Sequence, residues 1–224
     1  MKDQKEHIIK EYEKKEVVDT FDSQRSKYAY QRFKHNKESQ VLKDAIRCCK
    51  EKKLRVLDVA VGTGRMIPTV LSSNKQIEYV GLDSSKTMLN SIKRRSNVKL
   101  IKGDATKLPF KDNTFDVVFT FHLLWHLPKD VQVKIVNEMK RVCKKDGFIV
   151  LDIINNDFIF GKNTDGIYKW NNVSRFKTSD TVMYKLNDFP VKNSFVYGIL
   201  NIINCMENFL PVNLFHMVYL IIRK

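Results

Sequence analysis

The segment Val56-Leu57-Asp58-Val59-Ala60-Val61-Gly62-Thr63-Gly64 constrains this chain more than any other. It reads as an apolar strand that ends in an acid and turns through glycines into a helix, where Gly62 and Gly64 let the backbone take positive φ values and approach a ligand closely. Three ligand classes use such a turn. A nicotinamide dinucleotide site needs a third small residue where Ile67 stands, and a nucleotide P-loop needs a G-K-S/T sequence that is absent. Asp58 discriminates further, because a carboxylate at the strand end repels a pyrophosphate but suits a ligand carrying an ammonium and a sulfonium. A carboxylate on the same ligand falls to the amides of the following helix N-terminus. Pro68 sits within or just beyond that helix's first turn, where its missing N–H costs least.

From this turn onward short apolar runs alternate with helical periods, the pattern of a parallel sheet with covering helices. Strands are expected at Arg55–Val59, Ile77–Leu82, Val98–Ile101, Phe115–Phe121 and Phe148–Ile153. Ser84 or Ser85 caps a helix carrying Met88, Leu89 and Ile92, and Pro128 opens another with Val131, Ile135, Met139 and Val142 on one face. Asp146-Gly147 is expected to end that second helix as a left-handed cap. Upstream, Ile8, Ile9, Tyr12, Val17, Val18 and Phe21 predict an amphipathic helix over residues 6–21, and Val41, Leu42, Ala45, Ile46 and Cys49 predict another over 38–51. Ser23 to Lys37 reads as a polar, aromatic stretch between them.

Two further acids follow at spacings that a strand–helix–strand unit requires. Asp83 ends the second strand in Tyr79-Val80-Gly81-Leu82-Asp83-Ser84-Ser85, and Asp104 lies in Gly103-Asp104-Ala105-Thr106-Lys107-Leu108-Pro109-Phe110. Taken singly, Asp83 is as readily a helix cap and Asp104 a turn residue. Together with the glycine turn they resemble the class I S-adenosylmethionine-dependent methyltransferase family over roughly residues 50–155, with Ala60 in place of the first glycine of the family's acid-x-Gly-x-Gly-x-Gly motif. The resemblance implies an α/β, doubly wound, mostly parallel seven-stranded Rossmann-like sheet with helices on both faces. The first strand lies centrally and S-adenosylmethionine lies over the carboxyl ends of the strands. It further implies that Asp58, Ala60, Gly62, Gly64, Asp83, Ser84, Met88, Asp104, Ala105 and Phe121 bind the cofactor. Asp83 takes the ribose hydroxyls, Asp104 the exocyclic amine of adenine, and Ala105 offers its backbone N–H.

Past the fourth strand, His122 and His126 are the residues from which a general base would be drawn. The alternative is that His126 orders its loop and His122 packs beneath the cofactor; positioning alone accelerates transfer from an activated sulfonium. Tyr28, Tyr30 and Arg32 lie where many relatives fold over the cofactor, and are read either as a lid on the substrate side or as a solvated basic stretch.

The chain has 224 residues, enough for one α/β domain. Residues 1–37 are expected as a helical cap or lid, and 38–224 as the catalytic domain with a loop-rich insertion at 155–190. Forty Lys and Arg against 25 Asp and Glu give a net charge of +15. A small-molecule acceptor methylated on O, N or C is the leading expectation, with RNA as an alternative suggested by the charge and a non-catalytic partner subunit as a second. The four cysteines show no C-x-x-C pairing, so no metal site is expected. The charged N-terminus lacks the apolar run of a signal peptide, which predicts a cytoplasmic protein. Glu207 is the sole charged residue between Phe195 and Ile222, yet Asn201, Asn204, Asn208, Pro211 and Asn213 argue against a membrane span there and for a buried helix followed by an edge-protected strand, His216 to Ile222.

Overall fold

A computed structural model describes residues 12–26, 29–154, 181–186 and 217–224. Seven strands form one sheet in the order β3-β2-β1-β4-β5-β7-β6. Strands β1 (Lys53–Val59), β2 (Gln76–Asp83), β3 (Val98–Lys102), β4 (Phe115–Thr120) and β5 (Cys143–Ile154) run parallel, while β7 (Met217–Arg223) is antiparallel to both β5 and β6 (Thr181–Leu186). The apolar runs seeded the expected strands, each within a few residues except β5, which starts five residues earlier.

The alternation of side chains along each strand builds two cores. On one face Val56, Tyr79, Val117, Phe119, Val150 and Ile154 pack under helix α2 (Ala29–Cys48), which contributes Val41, Leu42, Ala45 and Ile46. On the other, Leu57, Val80, Val118, Ile149 and Leu151 meet Ile135, Met139 and Val142 of α5 (Lys129–Val142). Helix α1 (Lys15–Ser26) precedes α2, and two short helices, α3 (Ile67–Leu71) and α4 (Lys86–Ser91), follow β1 and β2. Ser85 caps α4, its hydroxyl accepting from the Met88 N–H, and Pro128 is the N-cap of α5.

Several expectations are corrected. Residues 23–37 are largely helical, because α2 begins at Ala29 and runs unbroken through Lys37 and Glu38. Its buried face continues toward the N-terminus in paired charges, Lys34 and Glu38, which an apolar period does not register. The helix expected over 6–21 is α1, displaced to Lys15–Ser26; residues 6–11 lie outside the described residues.

Asp146-Gly147 does not cap α5, which ends at Val142 with Cys143 already extended. Asp146 does take a left-handed φ of 64°, but inside β5, where pairing with β4 jumps from Phe115↔Cys143 to Val117↔Phe148. The bulge needs glycine at 147, since a Cβ there would stand 2.8 Å from both the Asp116 carbonyl oxygen and the Cys143 sulfur.

The final strand is interior, between β5 and β6, and β6 falls inside the stretch read as a loop-rich insertion. The buried helix expected before β7 lies outside the described residues. Among those residues no helix is long and apolar enough to cross a membrane.

Candidate active site

A cavity of about 400 Å³ opens over the carboxyl ends of β1, β2 and β4, where a doubly wound sheet leaves its ligand crevice. It is lined by Asp58, Ala60, Gly62, Asp83, Ser84, Met88, Asp104, Ala105, Phe121, His122 and His126, which brings together most of the residues expected from the sequence. Gly64 does not line it. A Cβ at Gly64 would stand 2.7 Å from Ile67 Cδ1, so this glycine serves the packing of α3 on the sheet.

The glycine turn alternates left-handed residues, with φ of 66° at Ala60, 55° at Gly62 and 79° at Gly64. Ala60 therefore holds a conformation that an L side chain adopts at a cost of about 1–2 kcal/mol. A Cβ added at Gly62 would meet nothing within 4 Å, so the turn is open on that side to an incoming group.

Two buried carboxylates flank the turn. Asp83 accepts from the Gly62 N–H at 2.8 Å through Oδ2 and from the Ser85 N–H at 2.9 Å through Oδ1. Burial raises its pKa, with these backbone donors pulling the other way. Asp58 accepts from the Tyr79 hydroxyl at 2.5 Å. Burial pushes its carboxyl up to about 7 against that hydrogen bond and the nearby Arg65 charge. Gly81 stands directly across from Asp58 in the β1–β2 register.

Asp104 folds back on its own loop, Oδ1 accepting from both the N–H and the hydroxyl of Thr106 at 2.8 Å while the residue lines the cavity. The turn role and the site role weighed in the sequence thus coexist. Helix α3, at five residues, is too short to present the dipole expected to meet a ligand carboxylate. The cation on that side is Arg65, a cavity residue that the sequence reading passed over.

Arg65 belongs to a buried set of charges beneath the cavity. Its Nη1 donates to Glu38 Oε2 at 2.5 Å and to His35 Nδ1 at 2.5 Å. Glu38 is fully buried, and its Oε1 lies 2.5 Å from His122 Nε2. Burial alone would raise the Glu38 pKa, but His122, Arg65 and Lys34 together hold it far below the usual carboxylate range. The His122 N–H donates to both oxygens of Asp152, at 3.0 and 3.1 Å, and His122 itself has a φ of 63°. Trp125 stacks on His126 with ring centroids 3.9 Å apart. Glu38 was findable, since it falls on the apolar face of α2, one turn from Val41 and Leu42 and two from Ala45. Asp152, inside an apolar strand, carried the same signal.

Arg32 is exposed on α2 and does not line the cavity; Tyr28 and the Tyr30 side chain lie outside the described residues. Among the described residues of the N-terminal segment, Tyr12 lines the cavity. Its carbonyl accepts from the Ser85 hydroxyl, and the Glu13 carboxylate accepts from the Lys86 N–H and the Thr87 hydroxyl, strapping residues 12–13 to α4. Among the described residues no group of three or more His, Cys, Asp or Glu is placed to hold a metal. Cys49 and Cys143 are buried, with thiols pushed up to about 12 chiefly by burial.

With this geometry in hand, comparison with known proteins gives a family match headed "Methyltransferase domain" over residues 56–147. Over that stretch the chain is similar to a methyltransferase domain. The matched stretch contains the glycine turn, both buried carboxylates and the two cavity histidines.

Among curated proteins, the demethylmenaquinone methyltransferase of Staphylococcus aureus strain MRSA252 is 38% identical over 107 residues, which is 44% of this chain and 42% of that protein. The chain thus spans less than half the length of the curated relatives it matches.

Among solved structures, a Thermotoga maritima S-adenosylmethionine-dependent methyltransferase, described as a possible histamine N-methyltransferase, aligns at a TM-score of 0.60. It is 19% identical, over 93% of this chain and 98% of that one. Phosphoethanolamine N-methyltransferase 2 of Haemonchus contortus, solved with S-adenosylmethionine, aligns at 0.56 and 16% identity over 83% of this chain and 52% of that one. At these identities the structures share the Rossmann-like fold.

Proposed function

We propose that this chain transfers a methyl group from S-adenosylmethionine to an O, N or C nucleophile of a small molecule. One observation carries the reading: an open left-handed glycine turn lies between the buried carboxylates Asp58 and Asp83 at the ends of adjacent strands, with Arg65 on the same wall. That donor set fits the cofactor. Asp58 suits its ammonium, Arg65 its carboxylate, the remaining acceptor capacity of Asp83 its ribose hydroxyls, and Asp104 with Ala105 its adenine. When bound, the cofactor supplies an electrophilic methyl group on a sulfonium.

The rest of the cavity is left for the methyl acceptor. Leu123, Leu127, Val131 and Ile135 line it beside His122 and His126, which suits an acceptor with an apolar body and one polar reacting atom. The Staphylococcus relatives act, by their name, on demethylmenaquinone, and a small apolar acceptor is in keeping with that. The strap at Tyr12 and Glu13 serves in this reading as part of a lid.

Two experiments test the proposal. Calorimetry is expected to detect binding of S-adenosylmethionine and of its demethylated product; absence of binding of both at millimolar concentration would overturn it. Labelled methyl transfer to cell extract separated into small molecules, lipids and RNA is expected to mark the first two. Label confined to RNA would favour the reading suggested by the +15 charge instead.

A further inference from the structure

We infer that Glu38 is a positioning residue that holds the Arg65 guanidinium off Asp58, and so keeps two opposite charges of the cavity apart as a seat for a zwitterionic α-amino-acid tail. The inference rests on the methyltransferase reading above and deepens it, by naming the residue that makes the site select the tail of the cofactor.

Asp58, near the end of β1, and Arg65, just past the glycine turn, both line the cavity. A guanidinium and a carboxylate in one low-dielectric cavity attract strongly, and their favoured arrangement is a direct, hydrogen-bonded pair. Here that pair does not form. The Asp58 carboxylate is engaged by the Tyr79 hydroxyl of β2, while Arg65 Nη1 is engaged by Glu38 Oε2 and His35 Nδ1 of α2. Arg65 stands close enough for its charge to be felt at Asp58, yet each group is tethered to a different element.

Glu38 itself is closed off from any ligand. Its side chain is wholly buried, whereas 22% of the Arg65 side chain is exposed, so the acid acts on a bound molecule only through its neighbours. Those neighbours are Arg65 at Oε2 and His122 at Oε1. His35 reinforces the tether: burial and the Arg65 charge both lower its pKa, which favours the neutral ring that accepts at Nδ1. The tether uses Nη1 alone. A guanidinium carries five N–H donors, so Arg65 keeps donors for a ligand.

An α-amino-acid tail carries its ammonium and carboxylate on one carbon, and it fits a cavity in which an anion and a cation stand near each other but unjoined. The ammonium goes to Asp58 and the carboxylate to Arg65. Were the two protein groups joined, the tail would have to break a buried ion pair before it could bind, and would lose much of what it gains. Holding them apart in the empty protein is pre-organisation, set by a residue of α2 that lies outside the matched stretch.

The first test needs no ligand. Carbon-13 NMR follows the Asp58 carboxyl, whose ionisable neighbours are Tyr79, Arg65 and Asp83. In Glu38→Gln the released guanidinium is expected to turn to Asp58 and lower its pKa, about 7 in the wild type, by about 1–3 units. Glu38→Asp, which keeps the charge, is expected to restore the wild-type value in part. An unmoved Asp58 pKa in a folded Glu38→Gln protein would overturn the inference.

The second test is calorimetry with S-adenosylhomocysteine and 5′-methylthioadenosine, which share the nucleoside and the thioether and differ in the amino-acid tail. Glu38→Gln is expected to weaken binding of the first by about 10- to 100-fold and of the second by less than about twofold. Equal losses for both would overturn the inference by reducing Glu38 to packing, and so would no loss for either. In an Arg65→Gln background, where the buried charge has no partner to hold, Glu38→Gln is expected to cost less than about twofold more. A further loss as large as in the wild-type background would route the effect through His122 and overturn the tether. Failure of the wild-type chain to bind either probe would instead sink the methyltransferase reading, while the Asp58 titration still decides whether Glu38 holds Arg65 away.

Discussion

Tyr79 donates its hydroxyl to Asp58 from the neighbouring strand, and both groups are buried. The register explains the reach. Val56 stands opposite Tyr79 and Gly81 opposite Asp58, so the tyrosine reaches the carboxylate diagonally, two residues along the shared face. A single donor cannot make up for the water that Asp58 has lost, and its carboxyl stays pushed up to about 7.

This relationship ties stability and cofactor affinity to the same proton. The folded pKa of Asp58 exceeds its unfolded value, so this group's contribution to stability is fully present below about pH 4 and is lost as pH rises through about 7. Asp58→Asn keeps an acceptor for Tyr79 but removes the charge. It is expected to raise the melting temperature of the cofactor-free protein at pH 8 by about 4–8 °C, equivalent to about 2 kcal/mol. Wild-type affinity for S-adenosylmethionine is expected to rise between pH 6 and 8, and that of the variant to be weak and flat across the window. Paired calorimetric titrations and melts check both; a variant that binds like wild type would remove Asp58 from the ammonium site.

Ala60→Gly is expected to stabilise the protein by about 0.5–1 kcal/mol. Relief of the left-handed strain at φ 66° exceeds the added freedom that glycine brings to the unfolded chain. Denaturant melts measure it. An unchanged or lower midpoint would mean that the turn holds Ala60 without strain.

Replacement of Asp83 separates its two duties. Asp83→Ala leaves the Gly62 and Ser85 N–H groups without their acceptor and removes a ribose partner, so both stability and cofactor affinity are expected to fall, the latter by roughly 1–3 kcal/mol. Asp83→Asn, which retains one acceptor oxygen, is expected to lie between the alanine variant and wild type on both scales. Loss of stability at unchanged cofactor dissociation constant would assign Asp83 to the turn alone.

Removal of residues 1–14 deletes the strap. The remaining chain is expected to stay folded, because residues 12–14, the described part of that segment, contribute no side chain to either core. Cofactor affinity is expected to weaken about three- to tenfold, the worth of one or two hydrogen bonds. Amide exchange at Lys86, whose N–H is held by Glu13, is expected to speed up. Unaltered exchange at Lys86 together with unaltered affinity would dismiss the lid.

What could be read from the residues alone follows from how each part of the structure is encoded. The five parallel strands are buried on both faces, so each is a run of apolar letters, and the acids that end β1 and β2 stand out against them. The glycine turn and Ser85 have local signatures. Helix α2 resisted because its inner face is built partly from Lys34 and Glu38, whose burial depends on Arg65, His122 and Asp152 arriving from distant parts of the chain. Nothing local sets Arg65, beside the glycines, apart from a surface cation. Asp146-Gly147 carried a correct backbone signal, a left-handed residue before a glycine, but whether that breaks a helix or bulges a strand depends on the partner strand. Tyr12 went unread for a similar reason, since the strap depends on contacts with α4, more than seventy residues away.

The interior position of β7 has a consequence for the birth of the protein. Residues 217–223 follow both of their partners in sequence, yet they fill the place between them, and within the described sheet β6 pairs with β7 alone. During vectorial synthesis β5 therefore waits with one row of backbone donors and acceptors open, and β6 waits without its neighbour, until the ribosome has passed the end of β7. Such an edge is a template for foreign strands. The nascent chain is at its most vulnerable to aggregation just before synthesis of this strand is complete, and chaperone protection at that late moment matters more than at the earlier stage when β1, β2 and β4 assemble.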